Sequence, residues 1–419
     1  IAIGRCALGN ASTAGNGNIA IGRNAADAIT SGACNIALGL NAYGTAAAGT
    51  NSIAIGNAAM GGSLVTGGDN IAIGYASGDA LLGGHTNVAM GVNALGAMTI
   101  GIRNIAIGDG AMGGITVEQT DNNIAIGEKA LCGTSATTGD ANIAIGSCSM
   151  DIITTGSNNI AMGLASMGAA TTGANNIALG NTSLGTGTLT GGCNVAIGFQ
   201  AADAVCTGHT NVAIGMHAYG AATTACHNVA IGNTALGGSA TTGNDNIAIG
   251  RNTADALLAA AGNIMMGVHT AGGMTAGLCN VVIGFGAMTD ITTGGLCHNV
   301  AIGTSAMLGS ASTNGANDNI AIGRTAMDAV TEGLNNVAIG CNAMGAATTP
   351  AQTVAIGRLE VGNGTLTGTA PNLIYTAHAN YHGDDSFTFK VNDGVADSNI
   401  ATVSITVTAP NQAPVAQDQ

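Results

Sequence analysis

The chain has 419 residues, of which 7% are charged and 2% aromatic, with 69 Gly, no Trp and a formal net charge of −14. A conventional core rests on aromatic and long aliphatic area, so a chain this poor in aromatics must be held together by short-range stacking of small residues. Its eight basic residues are dispersed and exclude the clustered Lys and Arg that nucleic acid requires, and no apolar run approaches the ~18 residues of a membrane helix.

Residues 1–357 repeat one phrase, N-[IV]-A-[IL]-G, from Ile1-Ala2-Ile3-Gly4 to Val354-Ala355-Ile356-Gly357, in 21 copies separated by 17 to 20 residues. A unit this short cannot bury a hydrophobic face by itself, so successive units must stack. Alternating β-branched residues make each phrase a short strand. The pattern predicts an all-β parallel β-roll or β-solenoid of about 20 turns, a rod with rungs ~4.8 Å apart.

Each column of the repeat carries its own expectation. The two aliphatic positions, Ile19 and Ile21 in the second copy, are expected to form the interior ladder. Asn precedes the first aliphatic in 18 of 20 copies, among them Asn18, Asn35, Asn70, Asn87, Asn104, Asn123 and Asn142. An Asn at a corner tolerates left-handed backbone and can hydrogen-bond from rung to rung. The Ala between the aliphatics is kept in 19 of 21 copies, broken by Met265 and Val282. Strand alternation then points it away from the interior. A column held that small is expected to be pressed against something, most simply another copy of the chain, with a second layer of the same chain as the alternative. Ala20, Ala37, Ala54, Ala72, Ala106, Ala125 and Ala144 are therefore the candidate chain–chain interface.

Further along each turn lies a second small column (Ala25, Ala42, Ala59), followed by a bulkier apolar one (Tyr43, Met60, Leu95), read as a second, outer strand. Asp27, Asp79, Asp151, Asp203, Asp255 and Asp328 recur five residues after the Gly, three of them behind Arg23, Arg251 and Arg324. These are expected to be exposed ion pairs left by a three-turn duplication, the alternative being a periodic lateral contact or cation site.

The strings NIAIGRNA, NIALGLNA and NVAIGCNA resemble the head repeats of trimeric autotransporter adhesins. That resemblance implies a left-handed parallel β-roll in which three identical chains pack side by side. After Gly357 the composition changes, and DSFTFKVNDG and NQAPVA resemble part of a bacterial cadherin-like or immunoglobulin-like tandem repeat. The expected domains are a β-roll at 1–357, an immunoglobulin-like β-sandwich segment at 358–409 and a linker at 410–419. Pro350 and Arg358-Leu359-Glu360 mark the interruption of the repeat.

No paired carboxylates, Ser/His/Asp set or phosphate loop can be found, so an enzyme is not expected. Ten Cys sit at irregular spacings without a CxxC pair. Cys193, Cys206, His209, Cys226 and His227 fall on three successive turns near one corner, and stacking could bring His209 and Cys226 within reach of a metal. Asp384, Asp385 and Asp393 resemble acids that bind calcium between tandem cadherin-like domains. The sequence thus predicts an extracellular or cell-surface fibrous adhesin that self-associates as a trimer or filament. It would attach to host or environmental surfaces, glycan included, through many weak contacts. The rival functions are a filament subunit polymerising head to tail, and an ice- or carbohydrate-binding solenoid.

Overall fold

The computed structural model describes residues 1–9, 15–116, 120–133, 138–289, 295–309, 316–329, 333–345, 351–357, 364–369, 372–377, 381–389, 399 and 401–408. Pro350, Arg358-Leu359-Glu360, Asp393 and the linker at 410–419 lie outside them. The described residues are all-β, without an α-helix.

Two compact units divide the chain, Ile1–Leu258 and Ala259–Gln419. In the first, every phrase forms a short strand, from Ala2–Ile3 and Ile19–Ile21 to Ile247–Ile249. These strands pair in parallel with like against like: Ala20 opposite Ala37, Ala37 opposite Ala54, Ala54 opposite Ala72. The second unit repeats the arrangement from Ile264–Met266 to Val354–Ile356 and adds a short parallel sheet of Ala259–Ala261, Ala276–Leu278 and Leu296–Cys297. It also holds two antiparallel pairs, Gly364–Thr369 with Asn372–Ala377 and Gly383–Phe389 with Ala401–Val407.

The strand faces are the reverse of the expectation. Ala20, Ala37, Ala54, Ala72, Ala106, Ala125 and Ala144 are fully buried within the single chain, so they cannot be a surface that meets another copy. The aliphatics flanking them are half-buried or exposed. The cause is a thin interior. Across from the strand, Ser149 Oγ donates to Ala161 O at 3.2 Å and Ser166 Oγ to Ala178 O at 3.1 Å. The far wall of the coil therefore touches the strand directly and leaves room for little more than a methyl group in these coils, whereas the second unit buries Met265 and Val282 at the same position. What presses on the Ala column is the second layer of the same chain.

That second layer is a chain of turns rather than an outer strand. Asn41 and Tyr43 both have φ near +54° with Ala42 between them, and the pattern returns at Ala58 and Met60. Left-handed backbone is uncommon for such residues. Here the cost is offset because each such residue finds a partner in a neighbouring coil, as Asn41 N–H does at Arg23 O (3.0 Å) and Tyr43 N–H at Ala59 O (2.9 Å). The bulky column turns inward and, with the small columns, makes up the core: Tyr43, Met60, Leu95, Met112, Leu131 and Met150 are buried. Large and small trade places three residues apart, as in Tyr43/Ala46 and Ala26/Ile29, which keeps the interior filled.

The corner Asn column runs through this core as a continuous hydrogen-bonded ladder. Asn18 Oδ1 accepts both the backbone N–H (2.9 Å) and the Nδ2 (3.2 Å) of Asn35, whose Nδ2 also donates to Gly49 O at 2.8 Å. The same pattern links Asn70, Asn87, Asn104 and Asn123, and Asn123 Oδ1 accepts the N–H of Asn142 at 2.8 Å. It satisfies buried backbone that the strand ladder does not reach. The strand Gly is needed twice over: Gly146 has φ +130°, and a Cβ there would lie 2.7 Å from the carbonyl carbon of Gly163.

Candidate interaction face

The outward face of the sheet carries two parallel columns of Ile, Val, Leu and Met with a one-rung period. Ile21 is 39% exposed, Ile107 36% and Met162 42%, while the Ala between each pair is at zero. In the first unit the columns run over fifteen successive strands, about 65 Å at the usual inter-strand spacing. Isolated exposed aliphatics are ordinary, whereas a contiguous stripe of this kind makes the face a candidate interaction surface. Two further columns edge it, the residue before the corner Asn and the residue after the strand Gly.

The residue before the Asn is left-handed in coil after coil, for example Asn122 (φ 60°), Asn158 (φ 59°) and His227 (φ 60°), and its side chain stands at the surface. The candidate metal residues lie at this edge without converging. Rings of His209 and His227 meet edge to face at 5.2 Å, and His227 Nδ1 stands 3.6 Å from Asp245 Oδ1. His209 Nδ1 is 3.3 Å from Thr210 Oγ1, while Cys226 Sγ turns toward Thr224 O at 3.5 Å. Cys193 is exposed. Among the described residues no three His, Cys, Asp or Glu come together as a ligand set. His209 and Cys226 do share a column, two residues before the Asn, but the Cys226 thiol turns to a carbonyl of its own turn and the His209 ring packs on His227 instead.

Asp384 and Asp385 also separate, because adjacent strand residues point to opposite faces. Asp384 accepts from Thr406 Oγ1 (2.8 Å) and Asp385 from Tyr375 OH (3.0 Å).

The recurrent Asp column is built differently from the expected ion pairs. Arg324 Nη2 reaches Cys341 Sγ (3.2 Å) rather than Asp328. The Asp carboxyl folds instead over a glycine of an adjacent coil: Asp79 Oδ1 lies 2.7 Å from where a Cβ on Gly62 would be, and Asp328 Oδ1 2.9 Å from that of Gly345. Partial burial pushes the carboxyls of Asp79, Asp151, Asp203 and Asp328 above the usual range, with backbone N–H groups of Gly62 and Gly61 pulling Asp79 back. Between Asp27 and Asp79 the Gly44, Gly61 and Gly62 positions floor a groove of about 550 Å³. The signal was present in the sequence, since coils between the Asp rungs carry Gly in the same column: Gly44 and Gly61, Gly168 and Gly185, Gly220 and Gly237.

A family model described as a bacterial Ig domain matches residues 316–406. No curated protein and no solved structure matches the chain. Much of the matched stretch is folded as solenoid, since Ile320–Ile322, Val337–Ile339 and Val354–Ile356 pair in parallel as coil strands. The antiparallel strands from Gly364 to Val407 carry the immunoglobulin-like alternation. No helix of the described residues is long and apolar enough to cross a membrane. A β-solenoid joined to a bacterial Ig match is the make-up of a surface- or adhesin-like repeat protein.

Proposed function

We propose that the chain is a fibrous adhesin or structural fibre protein of an extracellular surface, and that copies of it self-associate through the outward aliphatic stripe. The observation that carries the reading is the position of the aliphatics: the largest apolar side chains of each phrase stand on the outside, in two columns, while the Ala and Asn of the phrase face inward. A second copy is the favoured occupant because it presents the same one-rung period, so side chains can interlock along the whole length. The resemblance to trimeric adhesin heads supports association side by side, and the bacterial Ig match supports a surface location. Many identical rungs would then offer a multivalent surface for weak attachment. A flat Thr array suited to ice is not what this face offers, and no enzymatic activity belongs to the proposal.

The test is the mass in solution of the chain and of Ile107→Lys combined with Ile126→Lys. A desolvated charge at either position has no partner and should oppose packing. The chain is expected to be oligomeric and the variant monomeric with unchanged β circular dichroism. A monomeric parent chain, or a variant of unchanged mass, would end the proposal.

A further inference from the structure

The aliphatic stripe cannot by itself fix how two copies align. Every rung is nearly the same, so sliding one copy by a coil leaves the apolar contacts almost intact. The edges of the stripe are not uniform. Four coils carry a formal charge just before the Asn: Asp69, Arg103, Asp245 and Asp318. Three of them carry the opposite charge just after the Gly of the same coil, in Arg103/Asp109, Asp245/Arg251 and Asp318/Arg324, and the fourth faces uncharged Tyr75. Arg23 and Glu128 also follow a strand Gly, in coils whose leading residue, Gly17 or Asn122, is uncharged; where both edges are charged the signs are opposite. In the coil where the leading edge is Arg, the trailing edge is Asp.

All six residues are exposed, and the members of each pair stand at opposite ends of one strand, six residues apart. None of the three Arg makes an ion pair in the chain among the described residues. Arg103 Nε donates to Asn122 Oδ1 (2.7 Å), and Arg324 reaches Cys341. Asp245 and Asp318 have His227 and His298 of the preceding coil beside them, at 3.6 and 3.5 Å. An intramolecular reason for the matching signs is therefore missing.

An intermolecular reason follows from symmetry. A rotation axis parallel to the stack of coils sets each coil level with the same coil of the next copy. It also brings the trailing edge of one copy against the leading edge of its neighbour, whatever the number of copies around the axis. Copies with opposed stacks would instead place leading edge against leading edge, in unrelated coils. Sheets packed face to face lie ~10 Å apart, a gap that an Arg and an Asp can bridge at the rim.

Resting on the self-association proposed above, we infer that copies pack with their stacks parallel and coil for coil in register. The register is set in the first unit by Arg103–Asp109 and Asp245–Arg251 pairs made between copies, and in the second unit, taken by itself, by Asp318–Arg324. A slip of one coil would set Arg251 against His227 in one direction and Asp109 against Thr86 or Asn122, losing the pairs while keeping the apolar contact. Charges at a rim act in this way, selecting register more than strength.

Arg251→Lys allows a direct test, since a carbodiimide joins an amine to a carboxylate in contact with it and the chain's own lysines are only Lys129 and Lys390. Nitrogen-15-labelled and unlabelled chains are mixed, associated, cross-linked and digested. The expected product joins the peptide bearing the substitution from one label to the Asp245 peptide of the other. Asp245→Arg alone should weaken association about tenfold or more, and Asp245→Arg with Arg251→Asp should recover it to within about threefold. Oligomers whose cross-links join other coils, or in which the double reversal is no better than the single one, would overturn the register while leaving self-association standing. A chain that is monomeric at every concentration would overturn both.

Discussion

Replacing Asn159 by Ala interrupts the buried ladder at one rung, and the cost can be worked from the partners left behind. Asn159 Oδ1 accepts the backbone N–H of Asn176 at 2.9 Å and its Nδ2 at 3.2 Å, and Asn159 Nδ2 donates to Gly173 O at 2.8 Å and to Asn142 Oδ1 at 3.1 Å. The N–H of Asn159 keeps its bond to Asn142 Oδ1, and Asn176 Nδ2 keeps Gly191 O. Two buried groups are orphaned, the N–H of Asn176 and the carbonyl of Gly173. At ~1–3 kcal/mol for each buried group left unpaired, the loss is roughly 2–6 kcal/mol, more than the ~1 kcal/mol of an ordinary hydrogen bond. A stack of repeats need not unfold in two states, so amide exchange at Asn176 is the better assay. Protection there should fall at least about 30-fold at the lower bound. Asn159→Ser should lose less, because Ser52 already serves as a rung, with its Oγ accepting from Asn70 N–H at 3.3 Å. Unaltered exchange at Asn176 in the Ala variant would refute the reasoning.

Gly163→Ala should unfold its neighbourhood, since the new Cβ would lie 2.6 Å from the carbonyl carbon of Gly180 at φ +135°, whereas Gly295→Ala meets nothing within 4 Å and should leave the melting temperature unchanged. Ala125→Leu, at a fully buried site, should destabilise the coil by ~1–3 kcal/mol through overpacking without selectively dissociating copies; unfolding and mass are read on the same sample. The Tyr43 hydroxyl is buried without a hydrogen bond of good geometry, and burial pushes its pKa up to about 12, the Ser52 hydroxyl pulling it back. The unfolded chain ionises this group near pH 10 and the folded chain only near 12, so its contribution is whole below pH 10. Up to roughly 3 kcal/mol is lost as pH rises through that window, and Tyr43→Phe should remove its share in alkaline melts. At neutral pH Tyr43→Phe should cost little, whereas Tyr219→Phe should cost about 1 kcal/mol or more, because Tyr219 OH accepts from Asn228 Nδ2 (2.8 Å) and donates to Ala225 O (3.2 Å).

The period, the strands and the Asn ladder were legible in the sequence because each rests on a residue type with few other uses. A column of Asn beside a β-branched residue, ending in Gly, leaves little else to be. Which face of the strand was inside was not legible from alternation, which separates Ile105 and Ile107 from Ala106 but does not say which side the chain closes over. The deciding residues were elsewhere in the coil. The second small column, Ala111, Ala130 and Ser149 among it, packs against the strand Ala column, as Ser149 does at Ala161 and Ser166 at Ala178, and a wall of small residues facing another brings the two layers into contact. The left-handed run was hidden for a different reason. Asn24 and Asn41 hint at it, but Met60 and Leu131 occupy the same backbone region against their own preference, held there by hydrogen bonds to neighbouring coils that no single turn reveals. Of the candidate ligands, sequence places His209 and Cys226 in one column, but not that the Cys226 thiol turns to Thr224 O and the His209 ring to His227.

The inverted strand gives the two kinds of apolar residue different work. Inside, each coil depends on Ala, on one or two larger residues such as Met112 and Ile115, and on an Asn whose hydrogen bonds are all spent on its neighbours. Such an interior is specific and intolerant, because a change of one methylene meets a wall and a lost amide orphans a carbonyl. Outside, Ile, Val, Leu and Met exchange freely between rungs, as Met90 and Met162 do for Ile, which is the tolerance expected of a surface that needs area and period more than shape. A stripe this permissive would accept any neighbour of equal period in any register. Residues at the strand ends are therefore where specificity has to be written, and the matched charges occupy those positions. On the proposed association, fold fidelity within a chain and alignment between chains would rest on separate columns, so either could be altered by substitution without disturbing the other.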